Sequence, residues 1–182
     1  MFPKIRTLLV LAGALALVWL AGAQPAQAQQ QIVLDIPGVQ GESTLVGFEN
    51  QIIVLNASLV AANPACAKSG LTVSEVAFTK RSDKASVDLF TAVRDRTVYP
   101  TITFRFLVAN GGSGWIAYQR FELSNAIFSS SAAAGSSGDT RNVESWTVSF
   151  SQLVVTYTFI DANGKPGATE TMTMIPSVCP GS

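Results

Sequence analysis

Between residues 98 and 108 the side chains sort by parity. Ile102, Phe104, Phe106 and Val108 fall on one side, Thr101, Thr103 and Arg105 on the other. A period of two places successive side chains on opposite faces of an extended backbone, so this segment is a half-buried strand. The same period governs most of the chain. Residues 31–36 are a short apolar run ended by Pro37-Gly38, and residues 51–60 a β-prone run stopped by Asn63-Pro64. Further strands are expected over residues 71–80, 115–128, 145–159 and 169–175, with turns at Gly111-Gly112-Ser113-Gly114 and Asp161-Ala162-Asn163-Gly164. Within 145–159 the phase breaks. Trp146, Val148 and Phe150 share one parity, and Leu153, Val155, Tyr157 and Phe159 the other. One extra residue flips the facing of a strand, so a β-bulge or a barrel corner is expected near Ser151-Gln152.

Two segments depart from this period. Ala85, Leu89, Ala92 and Val93 recur at helical spacing, and Ser82 or Asp83 can cap the free N–H groups ahead of them. A helix is expected from Asp83 to about Asp95, covering one side or end of the sheet. Residues 129–138 contain only Ser, Ala and Gly, which offer no apolar face to bury, and read as a mobile loop. The fold class that follows is mainly β, an antiparallel β-barrel or tight sandwich with one flanking α-helix.

The start of the chain belongs to none of this. Lys4 and Arg6 precede an uncharged apolar stretch from Leu8 to Ala23, followed by Ala26-Gln27-Ala28. That is the pattern of a secretory signal peptide, cut between Ala28 and Gln29. The alternative is an uncleaved membrane anchor, but the stretch falls short of the roughly 20 residues a membrane span needs, and no span is expected after cleavage. The chain divides into a leader, 1–28, and one domain, 29–182, with a C-terminal tail from about 168. The mature chain of 154 residues keeps ten basic and twelve acidic side chains. It lacks the basic excess of a nucleic-acid binder. Its expected location is the periplasm or the outside of the cell.

The exported part holds the only two cysteines, Cys66 and Cys179. In an oxidising compartment one disulfide between them is the natural reading, with two buried thiols as the alternative. In the chain-entropy model a loop of that length is worth about 4–5 kcal/mol. The chain has no histidine, so histidine-based triads and zinc sites are excluded. The carboxylates are scattered, and no nucleophile elbow or phosphate loop is present. Lys80-Arg81 with Lys84 reads as a solvated surface at the helix entry. We expect no catalytic residue, no cofactor and no metal ligand, and rank an enzyme last.

The order of motifs resembles the haemolysin-coregulated protein (Hcp) family of type VI secretion. The resemblance is carried by Asp35-Ile36-Pro37-Gly38-Val39-Gln40-Gly41-Glu42-Ser43, by Phe78-Thr79-Lys80 with Asp83-Lys84-Ala85-Ser86 and Leu89-Phe90, by Glu122-Leu123-Ser124-Asn125-Ala126-Ile127, and by Glu144-Ser145 through Tyr157-Thr158 to Gly167. It implies a β-barrel with one helix and a non-enzymatic tube protein that assembles with itself into a six-membered ring. Other secretion components or effector proteins are the further partners it implies. Ser129, Ser130, Ser131, Gly135 and Gly138 are then candidates for ring or stacking contacts. The leader and the cysteine pair lie outside the family's pattern. They motivate a second reading, an exported binding module that kept the barrel without building a tube.

Overall fold

Among the described residues nine strands and one helix follow in the order β1 (Gln30–Asp35), β2 (Ile52–Val54), β3 (Asn56–Ala62), β4 (Thr72–Arg81), α1 (Ser86–Asp95), β5 (Val98–Ala109), β6 (Trp115–Ala134), β7 (Val143–Ser149), β8 (Gln152–Ile160) and β9 (Pro166–Met174). The computed structural model describes residues 29–62, 72–110, 114–138 and 140–176. The leader 1–28, including Ala28, lies outside the described residues, as do Cys66, Cys179 and the 111–113 part of the glycine turn.

The strands are joined antiparallel in the order β2-β1-β5-β6-β7-β4-β3. The two ends of that order are one continuous piece of chain. Ile52–Val54 pairs with β1, then Leu55 donates its N–H to the Thr79 carbonyl at 2.8 Å, and β3 continues along β4. The single strand expected over 51–60 therefore changes partner at Leu55, and this change closes the sheet into a barrel, which leaves that stretch of sheet without an edge.

Inside lies one apolar cluster. Phe78, Phe104, Phe128 and Trp146 are fully buried, with Leu34, Ile52, Ile102, Leu123 and Leu153 around them. Phe78 meets Phe104 and Phe128 edge-on at centroid separations of 5.4 and 6.3 Å. Edge-to-face contacts set the positive rim of one ring against the negative face of the next. Ile102, Phe104 and Phe106 of β5 supply this core as their alternation requires, whereas Val108, past the register shift at Phe106, is only partly buried.

The helix starts later than expected. Its first residue is Ser86, the N-cap is Ala85, and no side chain caps it. Asp83 instead stabilises the turn ahead of the helix, its Oδ1 accepting the Ala85 N–H at 3.0 Å. Leu89 and Ala92 face the barrel, and Phe90 lies on Trp146 at 4.8 Å between centroids. Arg96 ends the helix in the left-handed region at φ 50°, and the Thr97 N–H returns to the Ala92 carbonyl.

The expected loop over 129–138 is corrected. β6 runs on to Ala134, and β7 lies along it, with Ser131 opposite Trp146 and Ala134 opposite Val143. Ser and Ala have weak strand preference, but a partner strand with a fixed inner face overrides it. The register steps between Phe128 and Ser130, which leaves Ser129 as the extra residue of a bulge.

The phase break near Ser151 is real, and it has a different origin from a bulge. Ile127 faces Ser149 and Ser124 faces Gln152, so the pairing register is the same on both sides of the break. Both strands change facing at once. Leu123 and Leu153 are buried before the break, and Ala126 and Phe150 after it. On β6 the change is made by Asn125 at φ 49°, whose Nδ2 donates to Ser151 Oγ at 2.9 Å. This is a barrel corner. Beyond it the chain leaves β4 and pairs with β9, which takes up the first part of the tail expected from 168, as far as Met174.

Candidate functional site

Lys80 ends up where its type is least expected. It is 0 % exposed, inside the barrel wall under the helix entry. The register places it directly opposite Glu144, which is 2 % exposed. Its Nζ lies 2.7 Å from Asp83 Oδ1, 2.9 Å from Glu144 Oε2 and 2.9 Å from Ser86 Oγ, and it donates to the Arg81 carbonyl at 3.1 Å. Glu144 is held from the other side too. Ser82 Oγ donates to its Oε1 at 2.8 Å, and Ser86 Oγ and Trp146 Nε1 donate to its Oε2. Burial alone would raise the Glu144 carboxyl, but the hydrogen bonds from Lys80, Ser82 and Ser86 and the Lys80 charge outweigh it. The group sits below its ordinary range.

A buried charge is tolerated only when paired and fully hydrogen-bonded, and here every member has partners. The cluster ties β4, β7 and the first turn of α1 into one unit. The reading of Lys80 as surface is therefore corrected. The residues that converge, Lys80, Asp83, Ser86 and Glu144, all fall within the motifs that carried the family resemblance, although their spacing alone shows no contact between Lys80 and Glu144.

The Gly41-Glu42-Ser43 turn sits beside this cluster. Its backbone is bonded to the Asn50–Gln51 strand entry: the Gly41 N–H reaches the Asn50 carbonyl at 2.7 Å and the Ser43 N–H the Gln51 carbonyl at 2.9 Å. A side chain at position 41 would run into the Gln51 carbonyl and Ile52 Cα. Glu42 accepts the Lys84 N–H at 3.2 Å and pairs with Arg141 at 2.6 Å, bridging this turn to the β6–β7 hairpin. The Arg141 guanidinium lowers the Glu42 carboxyl.

The candidate assembly residues separate into two groups. Ser129 and Ser130 are engaged by neighbours: Ser129 Oγ donates to Glu75 Oε1 at 3.0 Å, and Ser130 Oγ to Thr147 Oγ1 at 3.0 Å. Ser131 lies in the β6–β7 ladder. Gly135 and Gly138 are at the exposed hairpin tip. A side chain at 135 would meet Asn142, and Gly138 has φ 102°, a conformation that favours glycine.

A second surface was not foreseen. Among the described residues β9 pairs only with β8, and eight of its nine residues are exposed. Leu153 is core, but the same face of β8 runs outward through Val155 to Tyr157 and Phe159, which are 47 % and 56 % exposed. Met172, opposite Val155, is 54 % exposed. An apolar sheet face thus begins in the core and ends in solvent, beside a free strand edge. Next to it, Gln30, Val108, Tyr118, Tyr157 and Ile160 line a cavity of about 440 Å³. Among the described residues no group of three Cys, Asp or Glu is placed to hold a metal ion, and no helix is long and apolar enough to cross a membrane.

Residues 33–157 match the family model described as type VI secretion system effector, Hcp. The fold is similar to that of a solved type six secretion system protein, with a TM-score of 0.73 at 24% identity over 81% of this chain and 96% of that one. It is similar also to Hcp1 from Salmonella typhimurium, with a TM-score of 0.67 at 23% identity over 80% and 94%. A type VI secretion system effector from Yersinia pestis gives 0.63 at 22% over 79% and 98%. No curated protein matches the sequence. At these identities the structures speak for the fold, while the family model covers well over half of the chain. By that match the chain belongs to the Hcp family of type VI secretion proteins.

Proposed function

We propose that the mature chain, residues 29–182, is a non-enzymatic, ring-forming component of type VI secretion. Its subunits join head to tail, six to a ring as the family resemblance implies. Residues 1–28 are its export signal, and Cys66 and Cys179 are joined in the exported form. Other secretion components and effector proteins are the partners of the ring.

The observation that carries this reading is the β8–β9 hairpin. A free edge strand is a template for pairing with another chain, and an exposed apolar face next to it gives that pairing a hydrophobic component. The hairpin lies at one side of the barrel, and in a ring it meets a different surface on the next copy, not the same edge turned about a two-fold axis. Such a heterologous contact closes into a ring when the rotation permits. The exposed tip at residues 135–138 is the proposed second contact, between rings. Light scattering and negative-stain microscopy of the mature protein test the reading. Rings support it, and a monomer at high concentration overturns it.

The 440 Å³ cavity favours the second reading, an exported binding module, since its volume is in the range of small-molecule sites. A monomer that binds a ligand through Tyr118 and Tyr157 would be its signature.

A further inference from the structure

We propose that Gln29, once freed by cleavage after Ala28, closes on itself, so that the mature chain begins with a pyroglutamyl residue. The inference rests on removal of the leader 1–28, and adds a modification site to it.

The argument starts from how the first residue is held. β1 begins at Gln30, opposite Val108. The Ala109 N–H donates to the Gln29 carbonyl at 3.3 Å. Gln29 is otherwise exposed, and its side chain makes no hydrogen bond with a described residue. The barrel therefore grips Gln29 by its carbonyl alone. Ring closure uses the α-nitrogen, Cα, Cβ, Cγ and Cδ and leaves that carbonyl outside the ring. The residue can cyclise without breaking its bond to Ala109. Gln30 is engaged differently: its side-chain amide donates to the Tyr118 hydroxyl.

The chemistry needs no co-reactant. The neutral α-amine attacks the side-chain amide carbon of Gln29. The N–Cδ bond forms, the Cδ–Nε2 bond breaks, and the departing nitrogen takes the amine's proton and leaves as ammonia. An α-amine titrates at about 7.7–8.0, so a useful share is nucleophilic near neutral pH. The product is an uncharged lactam. It removes an ammonium group from the residue that precedes Gln30, which lines the cavity with Val108, Tyr118, Tyr157 and Ile160. It also leaves no free amine for an aminopeptidase to engage.

The test is mass spectrometry of the exported protein, produced with its leader, quenched in acid at harvest and treated with an amine-labelling reagent. The expected N-terminal peptide starts at residue 29, is lighter than its sequence by one ammonia, and is unlabelled. A Gln29→Asn chain should start at the same position and take the label, because its closure would need a strained four-membered ring. A peptide starting at Gln29 with full mass and a labelled amine overturns the cyclisation while the cleavage stands. Any other start overturns the cleavage and the cyclisation with it.

Discussion

Lys80 and Glu144 face each other across the β4–β7 ladder, both out of solvent, with Nζ 2.9 Å from Oε2. The pair is the centre of a polar cluster set in an otherwise apolar wall, and the entry to α1 is bonded to it through Asp83 and Ser86. Lys80→Met leaves Glu144 buried without its counter-charge. We expect a loss of about 3–5 kcal/mol in urea denaturation. The triple variant Lys80→Met, Asp83→Asn and Glu144→Leu should recover a large part of that loss, because Asp83 is the other near-buried partner of Lys80 and no lone charge is then left in the wall. Equal destabilisation in both would show that the cost lies in packing instead.

The same pair sets a pH dependence. The Glu144 carboxyl is lowered from an unfolded value near 4.5. Its contribution to stability is therefore present above that value and lost as the pH falls through the lower, folded one. Glu144→Gln removes this proton uptake. The parent should lose stability more steeply than the variant below about pH 4.5 when both are followed by chemical denaturation. Parallel curves would assign the acid limb to other carboxylates.

Gly41 is packed against backbone, where nothing can rotate away. Gly41→Ala drives a methyl group into the Gln51 carbonyl and Ile52 Cα, at the strand that closes the barrel. A cost of about 1–3 kcal/mol is expected by thermal or urea unfolding. Gly38→Ala is a useful comparison. Nothing lies within 4 Å there, so only the φ of +83° opposes the change.

Asn125 holds a conformation that costs an ordinary residue about 1–2 kcal/mol. Its side chain offsets this by bonding Ser151. Asn125→Ala should lose stability by about that amount, and Asn125→Gly should lose less, since glycine accepts the backbone angle. The order of the two in urea midpoint decides whether the backbone or the side-chain bond matters more.

Phe159 is more than half exposed, so Phe159→Asp should change monomer stability by about 0.5 kcal/mol or less. If the β8–β9 face joins subunits, the same change should reduce the mass in light scattering to that of a single chain. An unchanged ring would move the contact elsewhere.

Much of the barrel could be read from the sequence because a strand with one buried face carries its facing in its parity. Ile102, Phe104 and Phe106 placed β5, and Phe150 against Leu153 disclosed the corner. The other half of that corner was hidden. Asn125 is of the type that, after glycine, most readily takes a left-handed backbone, but an asparagine between Ser124 and Ala126 is too common to place a corner by itself. Ser129, Ser130 and Ser131 were misjudged because their strand is imposed by β7, a partner distant in sequence. Lys80 was misjudged for a related reason. A lysine reads as surface unless its counter-charge is known, and Glu144 is brought to it only by the ladder. The free edge of β9 depends on which strands pair, and hydropathy does not record that.

β6 gives the barrel its mechanical character. Its 20 residues have a contour of roughly 65 Å at about 3.3 Å per residue. β5 flanks it on one side, and β8 followed by β7 on the other. A force along this strand loads both ladders in shear, so many hydrogen bonds must yield together. A force across the β8–β9 hairpin would instead open one ladder a bond at a time. The subunit is thus stiff along β6 and compliant at β9, and under strain it should deform first at the hairpin and last at its longest strand.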